Sequence, residues 1–149
     1  MLIADLNATG GRTFPARRTT RNIAGGPSPI QMKNFCMGLV TLEPKGGQVP
    51  WHNHEQEELY LILDGQGEMC VGSERQVVTA KQAVYVPPGQ FHQLTNIGDA
   101  PLTMIYCYGP AGEVAHWRQE LDGSLPKAGV DAPPLPHGAQ PQHTAKPKR

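Results

Sequence analysis

Between Phe35 and Tyr108 the chain runs in short apolar-rich segments, each stopped by Gly, Pro or Asp: FCMGLVTL, ELYLILD, QGEMCVG, RQVVT, QAVYV, FHQLTN and LTMIYCY. They are rich in Val, Ile, Leu, Thr and Tyr, which suits pleated strands. Asp64-Gly65 supplies turn chemistry between two of them, since Gly tolerates positive φ, and Pro87-Pro88 stops another. The spacing predicts an all-β sandwich or barrel, with no helix of normal length in this block.

The flanks differ. Residues 1–32 show weak periodicity and carry Arg12, Arg17, Arg18 and Arg21. This pattern predicts an irregular, solvated N-terminal arm or one lying along a neighbouring subunit; an Arg reaching an acidic substrate is the alternative. After the barrel block, residues 33–109, GEVAHWRQEL predicts a short helix stopped at Gly123. From Ser124 the chain is Pro-rich and polar and ends AKPKR, which predicts an extended or disordered tail within residues 110–149.

Composition narrows the function classes. The 149 residues fit one domain, and Lys+Arg equals Asp+Glu at 13 each, so nothing predicts an electrostatic grip on nucleic acid. No apolar run approaches a membrane span, and the N-terminus lacks the order of a signal peptide, so a cytoplasmic protein with no membrane partner is expected. Cys36, Cys70 and Cys107 are far apart and odd in number, and read as three buried thiols.

Candidate chemistry gathers in GGQVPWHNHEQEELYLILDG, Gly46 to Gly65. Alternate residues of a strand share a face, so His52 and His54 point together, and Glu58, Tyr60 and Ile62 share the face of the next strand. In PPGQFHQLTN, His92 shares a face with Leu94 and Asn96. Three imidazoles and a carboxylate converging on one point would suit one divalent metal: Mn, Fe, Co, Ni, Cu or Zn. Buried without such a partner, they would be costly. Tyr60 is a candidate catalytic residue, as hydrogen-bond donor or proton carrier, although a packed tyrosine is the commoner case. Glu55 and Glu57 read as solvated. Trp51 is expected between sheets or at a subunit interface. His116, His137 and His143 read as solvent-facing, although His116-Trp117 could close over the barrel mouth.

The spacing Gly46, His52, His54, Glu58, Gly65 resembles the first motif of the cupin family, and Pro87, Gly89, His92, Asn96 resembles the second. The chain departs at position 81, where the family has Gly and this sequence has Lys81. The resemblance implies a double-stranded β-helix (jelly-roll) barrel, usually a homodimer. It also implies that His52, His54, Glu58 and His92 are the metal ligands. Several functions would follow from such a site. A dioxygenase-type oxidoreductase acting on a small-molecule substrate is preferred, because the inward positions are mostly apolar. A redox-neutral isomerase, epimerase or lyase is the alternative, and a non-catalytic small-molecule binding module is the third. No helix-turn-helix accompanies the barrel, which argues against a transcription factor.

Overall fold

The computed structural model describes residues 1–144, so the terminal AKPKR lies outside the described residues. In chain order the elements are β1 (Arg12–Phe14), β2 (Arg18–Ala24), β3 (Cys36–Leu42), β4 (Gln48–His52), β5 (Glu57–Asp64), β6 (Gln66–Val71), β7 (Glu74–Thr79), β8 (Ala83–Val86), β9 (His92–Asn96), β10 (Leu102–Gly109) and α1 (Ala115–Asp122). They form a six-stranded sheet, β1-β2-β3-β10-β5-β8, and a four-stranded sheet, β4-β9-β6-β7, all antiparallel. This is the jelly roll expected. No described helix is long and apolar enough to cross a membrane.

Strand alternation puts one core between the sheets. On β3, Val40 and Leu42 face inward; on β10, Leu102, Met104, Tyr106 and Tyr108; on β5, Tyr60 and Ile62. They meet Val49, Met69 and Leu94 from the other sheet. A fully buried side chain of this kind contributes about 1.5–3 kcal/mol. Cys36 and Cys70 are buried among these strands, but Cys107 faces outward on β10 and is partly exposed, correcting the reading of three buried thiols.

Three further expectations change. Residues 1–32 are not irregular throughout, because β2 pairs with β3 from Arg18↔Leu42 to Ala24↔Met37 and covers an edge that would otherwise present unpaired backbone groups. The period was invisible because the inward positions of β2 are Arg18 and Thr20 rather than hydrocarbon. The strands flanking Asp64-Gly65 do form, but not as a hairpin. Both edges of β5 are taken, by β10 and β8, so Gly65 (φ 93°) carries the chain across to the second sheet. An added Cβ there would lie 2.9 Å from Leu102 Cα. At position 81 the departure from the motif is only chemical: Lys81 takes the left-handed conformation, φ 71°, that glycine would adopt without strain.

The Pro-rich tail is packed. It crosses the outer face of the four-stranded sheet, where Gln48, Trp51, Glu68, Gln93 and Thr95 are all buried. Trp51 Nε1 donates to the Pro133 carbonyl (2.8 Å) and Gln93 Nε2 to that of Gln140 (2.9 Å). The Gln140 and His143 backbone N–H groups donate to Glu68 (2.7 Å) and Gln48 (2.7 Å). Trp51 thus packs not between the sheets but beneath its own tail and beside Phe91, with ring centroids 5.6 Å apart. Gln142 pins this strap: its Nε2 donates to the carbonyls of Trp51 (3.0 Å) and Pro126 (2.8 Å), and its Oε1 accepts from Ala128 N (2.8 Å). Gln142→Ala is expected to cost about 1–2 kcal/mol. Limited proteolysis should find the first new cleavages between residues 126 and 144, and an unchanged cleavage pattern would show that the tail is held by other contacts.

Candidate metal centre

The end of β4, the start of β9 and the second residue of β5 bring His52, His92 and Glu58 together. His52 and His92 are paired directly across the β4–β9 ladder. His54 lies two residues beyond His52, past the end of the strand. One ring nitrogen from each of His52, His54 and His92 lies within 4.8 Å of the others. The Glu58 carboxylate stands against two of them, 3.3 Å from His54 Nε2 and 3.5 Å from His92 Nε2.

The tautomers are set by backbone. His52 Nδ1 lies 2.6 Å from the Pro50 carbonyl, His54 Nδ1 2.9 Å from Gln56 O, and His92 Nδ1 2.9 Å from Gln90 O. A carbonyl only accepts, so each Nδ1 carries the proton and each Nε2 keeps its lone pair. All three Nε2 atoms are buried without a hydrogen-bond partner among the described residues. Buried polar atoms are rarely left so. Three fixed imidazole lone pairs beside a carboxylate are the donor set of a divalent transition metal, and the residues fit one.

The electrostatics agree. Burial holds His52 well below the ordinary imidazole pKa, and the neighbouring His116, His92 and His54 push it further down, so it is neutral as a ligand must be. Burial raises the Glu58 carboxyl, but the contacts from His54 and His92 outweigh it and bring its pKa down to about 2. Burial pulls His54 down, yet Glu58 beside it wins, and its pKa is raised. Tyr60 lies inward near His92, ring centroids 5.9 Å apart. Burial and the Glu58 charge raise its hydroxyl well above the usual tyrosine range, so at neutral pH it is a protonated donor and not a base.

His116 departs from expectation. It is buried, not solvent-facing, and its ring stacks on His52 with centroids 3.7 Å apart. Its Nδ1 lies 2.8 Å from Glu120 Oε2, and Glu120 is held by both terminal nitrogens of Arg18 (2.8 and 2.9 Å). Burial lowers the His116 pKa to about 4 despite the carboxylate. Glu120 is raised by burial, but Arg18 and His116 carry it below its ordinary value. Helix α1 therefore closes over the site with His116, Trp117 and Glu120, and Gly123 ends it in the left-handed conformation as expected. The i,i+4 spacing of His116 and Glu120 on a short helix was the available signal for this pair. Arg18 stood in the sequence only as one of four arm arginines, any of which could have reached inward. His137 and His143 are exposed, as read.

Above the ligands lies a chamber walled by Val40, Met104, Tyr106, Tyr108 and Trp117, with Glu58, Tyr60 and His116 at its metal side. Chamber and mouth together hold about 290 Å³ of empty space.

Comparison with known proteins agrees with this geometry. Residues 38–108 match the family model described as the cupin domain. The protein MJ1618 of Methanocaldococcus jannaschii is 37% identical over 68 residues, 45% of this chain and 54% of that protein. A mannose-1-phosphate guanylyltransferase of Klebsiella pneumoniae is 29% identical over 76 residues, 51% of this chain but 16% of the enzyme. The match thus spans about half the length of the first relative and about a sixth of the second. Among solved structures, the polyketide cyclase RemF from Streptomyces resistomycificus superposes with a TM-score of 0.62 at 17% identity, over 73% of this chain and 79% of that one, which is a likeness of fold. Residues 38–108, folded as a jelly roll in which the motif histidines of two distant segments meet at one point, are a cupin domain.

Proposed function

We propose that the chain is a metal-dependent enzyme that holds one divalent transition metal on His52, His54, His92 and Glu58 and acts on a small molecule with dioxygen as co-substrate. The observation that carries this is the set of three partnerless Nε2 atoms around Glu58, which itself lines a chamber walled largely by aromatic and aliphatic side chains. The metal, when bound, supplies Lewis acidity and, if iron, manganese or copper, exchange of electrons with oxygen.

The protein's own residues do the rest. The Pro50, Gln56 and Gln90 carbonyls lock the three rings so that no rotation is needed on binding. Glu58 adds a negative charge that offsets part of the cation's. Tyr60, kept protonated, offers a hydrogen bond to an oxygen at the metal side. Tyr106, Tyr108 and Trp117 exclude bulk water, which strengthens each electrostatic interaction inside.

One observation favours a redox-neutral isomerase or lyase as second reading. Glu120 accepts from His116 Nδ1 and orients the ring, while burial keeps that imidazole neutral beside the site, a base that Tyr60 does not provide.

Metal content of freshly purified protein, followed by turnover of a substrate panel with and without oxygen, separates these readings. Close to one iron, manganese or copper per chain with oxygen uptake supports the first. Zinc with anaerobic turnover supports the second. No metal even after reloading sinks both and favours a binding module.

A further inference from the structure

The inward face of β2 carries two polar groups that the metal site does not use. Arg18 and Thr20 are buried, 1% and 5% exposed, and both line the chamber. Arg18 spends both terminal nitrogens on Glu120 and lays its guanidinium over the Phe14 ring at 4.0 Å. Its Nε has no hydrogen-bond partner among the described residues, and neither has Thr20 Oγ1. One is an N–H donor held in place by a bidentate ion pair. The other is a hydroxyl two residues away on the same face of the strand. Leaving both unmet in a folded interior is unfavourable unless something else fills the space.

We infer that Arg18 Nε and Thr20 Oγ1 form a substrate-recognition pair that takes a neutral carbonyl or hydroxyl oxygen of a small molecule whose other end reaches the metal. The inference rests on the proposed metal-dependent reading and adds the substrate class to it. The neutral oxygen follows from charge. The Arg18 cation is already matched by Glu120, and Glu58 lines the same chamber, so a second carboxylate here would meet two anions and no free cation.

The test uses three acids of similar length: pentanoate, 4-oxopentanoate, which adds one carbonyl, and glutarate, which adds a second carboxylate. Their binding to the full chain loaded with cobalt(II) is measured by calorimetry and by the visible cobalt spectrum. 4-Oxopentanoate should bind about tenfold tighter than pentanoate, and glutarate should show no such gain. Thr20→Val, which keeps the side-chain shape, should shrink the preference to within about twofold. Its cobalt content should stay at the wild-type level and its melting temperature should not fall, because the hydroxyl it removes has no partner to lose.

A preference that survives in Thr20→Val overturns the inference. So does equal binding of the first two acids by wild type, a preference for glutarate, or no binding of any of the three. Failure of the wild-type chain to take up cobalt is a separate result that sinks the metal reading. The 4-oxopentanoate preference and its loss in Thr20→Val, measured then on metal-free protein, still decide the pair.

Discussion

Replacing His92 or His54 with alanine should drop bound metal from near one ion per chain to below about a tenth, with at least a ~100-fold weaker affinity and nearly all activity lost. His92 is fully buried and paired with His52, so its removal deletes one donor and leaves the Glu58 carboxylate with a single imidazole contact. His54 stands at 3.3 Å on the other side of that carboxylate and is equally placed. Elemental analysis of both variants beside Glu58→Gln tests the whole set. Metal content unchanged in His54→Ala would remove it from the ligand set. The same site predicts acid release of the ion. Protons compete for the Nε2 lone pairs, and His54, whose pKa is raised by Glu58, takes one above the ordinary 6.5, so affinity should fall as pH drops through that region.

In metal-free protein the sign differs for the two partners. The raised pKa of His54 contributes stability that is present below 6.5 and lost as pH rises through its folded value. The lowered pKa of Glu58 contributes stability that is present above 4.5 and lost as pH falls toward about 2. The pair therefore stabilises the apo fold most between those limits, and a melting-temperature profile across pH 3–8, taken with and without metal, should show that maximum in the apo series only.

Glu120→Leu should be the most destabilising single change outside the ligands, at about 3–5 kcal/mol. It strands the Arg18 guanidinium, which is 1% exposed, and removes the acceptor that fixes His116 against His52. An isolated surface ion pair would contribute about 0–1 kcal/mol, but this one is bidentate, buried, and joins β2 to α1 across 102 residues of chain. The Arg18→Met/Glu120→Leu double variant should recover much of the loss, since an apolar pair leaves no uncompensated charge. Urea unfolding of the two singles and the double closes the cycle. A Glu120→Leu loss below about 1 kcal/mol would mean the pair contributes little to holding α1 over the chamber.

Some of this was legible in the residues alone. The short apolar runs FCMGLVTL, ELYLILD and LTMIYCY marked β3, β5 and β10 as strands, and strand alternation placed Glu58, Tyr60 and Ile62 on one face. The spacing of His52 and His54, and the place of His92 at the head of its strand, were equally local, because side-chain direction there follows from position in the strand. Gly123 as the end of α1 follows from its freedom to adopt positive φ.

Tertiary structure decided the rest. β2 joins the sheet through backbone pairing to β3, and its Arg18 is met by Glu120 and its Asn22 by Tyr106 rather than by hydrocarbon, so no hydrophobic period marked it. The tail docks through carbonyls and amides that any sequence carries, onto glutamines whose partners lie 47 to 95 residues away. His116 read as an exposed helix residue until α1 folded it onto His52. The sequence by itself determined the strands of the 35–108 block, the shared faces of His52 with His54 and of Glu58 with Tyr60, and the candidate ligand types, because these depend on neighbours within a few positions. Which polar groups are buried, and against what, was settled only when distant segments met, because an ion pair or a hydrogen bond across the fold leaves no period in the chain.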